Sequence, residues 1–142
     1  MNIDYLEESF DLIAPRGDEL MDEFYSRLFE AAPAVKPLFP QDMRKQKAML
    51  LSALVLLRKS LRNLDGIIPT LRNLGARHVA YGAKAEHYPV VGSVLIASMA
   101  AVAGPAWKPE YEVAWGEAFG VVASEMIEGA EDAERQLLAE AA

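Results

Sequence analysis

The run "AMLLSALVLL" (residues 48–57) decides the fold class of this chain, because nine of its ten residues are apolar. Ten residues are too few to cross a bilayer, so the run indicates a helix inside a protein core. Its apolar residues extend well beyond one helical face, which is typical of a helix with apolar neighbours on two sides. One neighbour is the core, and the other is expected to be a partner helix or a large flat ligand.

The rest of the chain also has a helical pattern and lacks alternating, strand-like runs. Its eight prolines fall where they separate helices rather than interrupt them. Helices are predicted at about 3–14, 17–32, 42–61, 66–79, 87–103 and 109–127, with a short turn of helix at 33–39. We therefore expect one all-α domain over residues 1–142, of which about 128–142 form a charged C-terminal extension.

In the last main helix, one apolar stripe is formed by Trp115, Phe119, Val122 and Met126, which follow each other at helical spacing. Such a stripe predicts a helix that lies along the core with one face and meets water with the other. The pattern of this helix and of residues 48–57 together favours a bundle of helices around one interior.

Composition excludes several classes of function. The chain has 142 residues, a net charge of −7 and no cysteine, which excludes disulfides, thiolate catalysis and iron–sulfur clusters. Its basic residues are interspersed with acidic ones or spaced along helices, which argues against nucleic-acid binding. The N-terminus has neither the basic nor the apolar region of a signal peptide, so we expect a cytoplasmic protein without a membrane segment.

The two histidines of the chain lie in "GARHVAYGAKAEHY" (residues 75–88). His78 shares a helix face with Leu71 and Leu74, so it is either a buried histidine bonded to a backbone carbonyl or a metal ligand. His87 precedes Pro89 by two residues and is expected at the surface, in a loop. One histidine cannot build a zinc site alone, but one imidazole suffices for haem iron, which has four porphyrin nitrogens.

Five segments, in order and at nearly constant spacing, resemble the bacterial single-domain globins and the globin half of flavohaemoglobins, and to a lesser extent neuroglobin. They are "FYSRLFEAAPAVKPLF" (24–39), "QKAMLLSAL" (46–54), "NLGARHVAYG" (73–82), "HYPVVGSVLI" (87–96) and "AWGEAFGVVA" (114–123). The resemblance covers about residues 5–127 and implies a globin fold of six to eight helices around one haem pocket, with haem b as the cofactor.

The resemblance also implies a role for individual residues. His78 matches the proximal ligand of haem iron, and Phe39 matches the phenylalanine that packs flat on the porphyrin. Tyr25 and Gln46 match the distal pair that donates hydrogen bonds to O₂, and Leu50 matches the bulky residue above the iron.

On the proximal side, Tyr88 matches a pocket tyrosine of flavohaemoglobins, while Leu74 and Val91 match residues that line the haem. Arg77 is placed where it approaches a haem propionate or remains in solvent. The sequence departs from the flavohaemoglobin pattern at a proximal glutamate, whose position falls on Ala130, with Glu128 and Glu131 as the nearest carboxylates.

The function implied is reversible O₂ binding of high affinity, the binding step of oxygen storage or transport in bacteria. Nitric oxide dioxygenation with an external reductase remains open, so the chain is either a binding protein or an enzyme. A haem-based sensor and a haem-free signalling module are the remaining alternatives. The partners expected are O₂, with CO and NO as further gases, and a reductase, in a monomer or a homodimer.

Overall fold

The structure, a computed structural model, describes residues 1–141. Within that range it contains helices and turns but no strand, which confirms the predicted all-α fold. The α-helices are α1 (Ile3–Ile13), α2 (Gly17–Ala31), α3 (Arg44–Lys59), α4 (Ile68–Ala80), α5 (His87–Ala103) and α6 (Pro109–Ala141). Short 3₁₀ segments connect them at Ala14–Arg16, Pro33–Leu38, Leu61–Ile67 and Gly104–Ala106. Ala142, the last residue of the predicted domain, lies outside the described residues.

Helix α3 is two residues shorter at each end than the predicted range 42–61. At its start, an oxygen of the Asp42 carboxylate accepts the backbone N–H of Arg44 at 3.1 Å, so Asp42 forms a turn outside the helix, before the N-cap residue Met43. Beyond its end, Asn63 has a non-helical backbone (φ −149°, ψ 61°), which bends the chain toward α4. Both deviations arise from local polar and backbone geometry that hydrophobic periodicity does not report.

Within α3, the expectation of apolar neighbours on two sides holds only in part. Leu54 and Leu57 are buried in the core, and Leu50 is half-buried against it. Met49 and Leu56, in contrast, are exposed by 48% and 41% of their surfaces. The apolar run of residues 48–57 is therefore wider than the face that the fold encloses.

The charged extension predicted at about 128–142 continues α6 without a break to Ala141. Alanine, glutamate, arginine and leucine dominate these turns, and each favours helix. The predicted stripe of the same helix faces the core: Trp115 and Met126 are buried, and Phe119 and Val122 pack against the core cluster.

Helices α4 and α6 approach each other until their backbones are in contact. A Cβ atom at Gly75 would collide with the carbonyl group of Met126, and one at Gly129 would collide with that of Arg72. Glycine at both positions is thus a requirement of the crossing. Because Gly75 stands one turn before His78, this crossing sets the position of the histidine relative to the core.

Among the described residues, one segment, His87–Ala106, is apolar and long enough to cross a membrane by length and composition alone. It coincides with α5 and the turn after it, and its mean hydropathy is 1.7. In the fold, α5 packs against α2 and α6, with Leu95 and Met99 buried. A core helix passes the same test of length and composition; in this fold, 28% of the 18-residue window that meets the test is buried.

Candidate functional site

Tyr25 and Gln46 form a hydrogen-bonded pair where α2 meets α3. The amide Nε2 of Gln46 donates to the phenol oxygen of Tyr25 at 3.2 Å. Tyr25 is buried, with 4% of its surface exposed, whereas Gln46 is half-buried. Because the amide occupies an acceptor site of the phenol oxygen, the hydroxyl hydrogen of Tyr25 remains available to a third group.

Three phenylalanines surround the ring of Tyr25. Its centroid lies 4.8 Å from that of Phe24, 5.9 Å from that of Phe29 and 5.7 Å from that of Phe39. Phe29 and Phe39 also contact each other edge to face, at 5.4 Å. Such contacts hold the phenol in one orientation. The structure thus brings the predicted Phe39 to the predicted distal pair, and adds Phe29, whose role the sequence did not indicate.

Burial raises the pKa of Tyr25, and the hydrogen bond from Gln46 opposes that shift. The phenol therefore stays protonated to a higher pH than a tyrosine in water. A neutral hydroxyl is the form that donates a hydrogen bond.

His78 is held by a backbone carbonyl on its own helix. Its Nδ1 lies 2.7 Å from the carbonyl oxygen of Leu74. Because a carbonyl oxygen only accepts hydrogen bonds, Nδ1 carries the hydrogen and is the donor. This tautomer leaves Nε2 as a free lone pair, the form in which histidine binds metals. The half-buried ring lies 5.5 Å from the ring of Tyr81 and 6.4 Å from that of Tyr88.

The predicted lining residues share one property, which is partial burial within the apolar interior. Phe39, Leu50, Leu74, Tyr88 and Val91 all pack against the core cluster without being enclosed by it. Their partial burial is compatible with the predicted role of lining a haem pocket. Burial also raises the pKa of the Tyr88 phenol.

Glu128, one of the two carboxylates nearest to the position of the missing proximal glutamate, is engaged elsewhere. The guanidinium of Arg72 donates to Glu125 at 2.9 Å and to Glu128 at 3.3 Å. Glu128 is therefore held by an ion pair across the α4–α6 crossing, while the Nδ1 of His78 meets a neutral carbonyl. The basicity that an imidazole gains from a carboxylate partner is absent from this arrangement.

Arg77 is exposed, and its approach to a haem propionate stays a prediction. His87 is not in a loop as expected: it is the first residue of α5, is half-buried, and its Nδ1 accepts the backbone N–H of Lys84 at 3.0 Å. The reason is the turn Lys84–His87, whose geometry the sequence pattern did not predict.

The residues present fit a haem better than a metal ion held by side chains alone. In the described part of the chain, no three His, Cys, Asp or Glu side chains are grouped as metal ligands. A single imidazole with a free Nε2, a set of partly buried apolar side chains and a buried phenol donor match a group that supplies its own four nitrogens.

Comparison with known proteins identifies the family. The sequence profile of the globins matches residues 22–126, and the chain belongs to this family. It is 30% identical over 128 residues to a flavohemoprotein of Bacillus subtilis, covering 88% of this chain and 32% of that protein. It is 35% identical over 125 residues to a flavohemoprotein of Rhodopirellula baltica, covering 86% of this chain and 31% of that protein. The chain thus spans about a third of the length of these relatives.

Solved structures agree with the family assignment. A bacterial globin from Campylobacter jejuni superimposes with a TM-score of 0.81, at 27% identity, over 92% of this chain and 94% of that one. An engineered carbene transferase from Rhodothermus marinus superimposes with a TM-score of 0.86, over 96% and 95%, at 24% identity. The second likeness supports the fold alone. The predicted globin fold and the resemblance to flavohaemoglobins are therefore confirmed.

Proposed function

We propose that this globin holds haem b through His78 and binds O₂ reversibly between Tyr25 and the haem. The observation that carries the proposal is the Nδ1 contact of His78 with the Leu74 carbonyl, because it prepares Nε2 as an iron ligand. Haem would supply the iron to which O₂ binds. The residues of the chain would supply the ligand, the apolar walls and the hydrogen-bond donors.

On the distal side, the proposal assigns the donor role to Tyr25. O₂ draws charge from ferrous iron, and a neutral phenol stabilises the charge that it acquires. The amide of Gln46 donates to the phenol oxygen, which supports an orientation with the hydroxyl hydrogen directed away from Gln46. Gln46 is then a positioning residue as well as a second donor, and Leu50 restricts the space above the iron.

The proximal contacts favour O₂ binding over nitric oxide dioxygenation. That reaction ends with ferric iron, so it needs a reductant at every turnover, and a basic proximal imidazole assists it. Here the imidazole donates to a neutral carbonyl, and Glu128 is paired with Arg72. The haem-free alternative would leave both the Tyr25–Gln46 pair and the free Nε2 without a use. The monomer or homodimer and the cytoplasmic location stay predictions.

The two histidines provide a matched test of the ligand. After reconstitution with haem, His78→Ala should lose the Soret absorption of the native protein, while His87→Ala should retain it in the ferric and ferrous states. The reason is that Nδ1 of His78 donates to a carbonyl and leaves Nε2 with a free lone pair, whereas Nδ1 of His87 accepts the Lys84 N–H, so Nε2 of neutral His87 carries the proton. Loss of the band in His87→Ala with retention in His78→Ala would reverse the assignment.

A further inference from the structure

The charges of this chain are divided by segment. Of its fourteen Lys and Arg residues, ten lie within residues 33–84, together with two acidic residues, Asp42 and Asp65. Residues 1–32 contain nine acidic and two basic residues, and residues 85–142 contain ten and two. The positive segment comprises the 3₁₀ turn Pro33–Leu38, α3, the turn Leu61–Ile67 and α4, with the connections between and after them. It carries Phe39, Gln46 and His78. In a protein of net charge −7, residues 33–84 thus carry a net charge of +8, ten basic residues less two acidic ones.

Half of these ten cations pair with carboxylates. Arg44 pairs with Asp42, and Lys47 with Asp22 of α2. Three arginines join the positive segment to the acidic segments on either side of it: Arg58, Arg62 and Arg72. The other five are exposed and have no ion pair with any described residue: Lys36, Lys45, Lys59, Arg77 and Lys84. Lys36 does lie over the ring of Phe29, with its Nζ 5.9 Å from the centroid, but none of the five has a carboxylate partner among the described residues.

Two of these lysines flank a small apolar spot. The side chain of Leu38 lies 3.1 Å from a Cβ placed on Gly82, so the turn before α3 contacts the connection after α4. Lys36 and Lys84 are each two residues from this contact. Leu38 and Tyr81 are exposed by 42% and 53% of their surfaces. We name the surface of Lys36, Leu38, Tyr81 and Lys84 the basic edge.

The basic edge is adjacent to the proposed iron ligand. The ring of Tyr81 lies 5.5 Å from that of His78, and the two residues are one helical turn apart. A protein seated on the basic edge would therefore contact the side chain next to His78. An apolar centre with charges at its rim is the usual arrangement of a protein interface.

We propose that the basic edge docks an acidic flavin-containing electron donor, which keeps the haem iron ferrous. This inference rests on the proposed function. One electron leaves the reduced flavin and converts ferric to ferrous iron, and no atom is transferred. Rim charges mainly raise the association rate. Residues 1–32 and 85–142 together carry nineteen acidic and four basic residues, which disfavours binding of the same partner to those segments. The relatives' name, flavohemoprotein, joins a flavin and a haem in one protein of about three times this length.

The test measures binding before electron transfer. ¹⁵N-labelled holoprotein is titrated at low ionic strength with an oxidised bacterial flavodoxin, a small acidic flavoprotein, and amide shifts are recorded. We expect shifts centred on Leu38 and Tyr81. The double variant Lys36→Glu/Lys84→Glu should weaken binding by at least about tenfold. The double variant Lys59→Glu/Lys108→Glu, which changes the net charge equally, should bind within about twofold of the unsubstituted protein.

Stopped-flow reduction of the ferric protein by flavodoxin hydroquinone should show the same order of second-order rate constants. Lys36→Gln/Lys84→Gln, which removes charge without reversing it, should fall between the unsubstituted protein and the Glu variant. Circular dichroism identifies a variant that fails to fold.

Several results would overturn the proposal: no binding of flavodoxin, equal weakening in both double variants, or shifts located away from the basic edge. Loss of haem from Lys36→Glu/Lys84→Glu would show that these lysines serve the propionates instead. Binding to phosphatidylserine vesicles through the same lysines, without binding of flavodoxin, would assign the surface to a membrane. The proposed function fails separately, if the unsubstituted protein forms no Soret band with haem.

Discussion

The hydroxyl of Tyr25 carries most of the ligand selectivity proposed for this globin. It is buried among Phe24, Phe29 and Phe39, and its oxygen already accepts a hydrogen bond from Gln46. A donor fixed in this way loses little conformational entropy when a gas molecule binds. O₂, which becomes polar on binding, should gain more from it than CO.

Tyr25→Phe should therefore speed O₂ dissociation. A buried hydrogen bond to a partly charged oxygen contributes roughly 1.5–3 kcal/mol, which corresponds to about a ten- to hundredfold faster rate. CO dissociation should change much less, and Gln46→Leu should act in the same direction with a smaller effect. Stopped-flow measurement tests this, with Tyr111→Phe, a buried tyrosine at the start of α6, as the control. An O₂ dissociation rate that is unchanged in Tyr25→Phe would show that Tyr25 does not donate a hydrogen bond to O₂.

The pH dependence of O₂ release follows from the same side chain. Burial raises the pKa of Tyr25, so the neutral donor persists above the ordinary tyrosine pKa of about 10 and is lost only at still higher pH. Neither Tyr25 nor Gln46 gains a proton in mild acid. The dissociation rate should thus be constant from about pH 5 to about pH 9. Acceleration in mild acid would indicate a titrating histidine near the ligand.

At the scale of elements, the crossing of α4 over α6 determines where His78, the proposed iron ligand, lies. Gly75 and Gly129 permit backbone contact, and Arg72 pairs with Glu125 and Glu128 on the same crossing. Any side chain at either glycine must separate the helices, and α4 would then carry His78 away from the core.

Gly75→Ala should consequently lower the free energy of unfolding by about 1–3 kcal/mol, because its Cβ meets a backbone carbonyl that cannot turn aside. It should also weaken haem retention. Gly116→Ala, on the open side of α6, is the matched control and should be neutral or stabilise by roughly 0.5–1 kcal/mol. Urea unfolding measures both. If Gly75→Ala were as stable as Gly116→Ala, the two helices could move apart at their crossing at little cost, and the contact would not be a requirement.

The whole molecule is closed by a contact between its first and last helices. The indole Nε1 of Trp115 on α6 donates to the Ser9 hydroxyl on α1 at 2.8 Å, and both residues are fully buried. The hydroxyl in turn donates to the Tyr5 carbonyl at 2.7 Å. This small polar network specifies how α1 lies on α6 within an otherwise apolar core.

Ser9→Ala should lower the free energy of unfolding by about 1–3 kcal/mol, since it leaves the indole N–H buried without an acceptor. Ser98→Ala tests the alternative that any buried serine matters. Ser98 is equally buried, but its hydroxyl bonds only to the Val94 carbonyl of its own helix, so its loss should cost much less. Thermal or urea unfolding of both variants measures this difference. Equal losses in the free energy of unfolding would contradict a specific role of the Trp115–Ser9 hydrogen bond.

Local sequence determined the helices of this globin, because the prolines between helices and the helical spacing of apolar residues are both evident within a few residues. The observed bounds of α1, α2 and α5 lie within one residue of those predicted. The resemblance also selected Tyr25, Phe39 and Gln46, which the structure then brought together. The concentration of basic residues in residues 33–84 could also have been found in the sequence, by summing the charges of each segment. Noting only that basic and acidic residues are interspersed did not reveal it.

Tertiary structure alone decided the features that depend on residues distant in the chain. The backbone contact at Gly75, the capture of Glu128 by Arg72 and the meeting of Leu38 with Gly82 each join separate elements. The hydrogen bond from His78 to the Leu74 carbonyl joins neighbouring residues. Because every residue has a backbone carbonyl, the sequence does not show which carbonyl accepts this bond. Periodicity predicts which face of a helix is buried, but the partner that covers it depends on how the helices cross, because packing couples all of them at once.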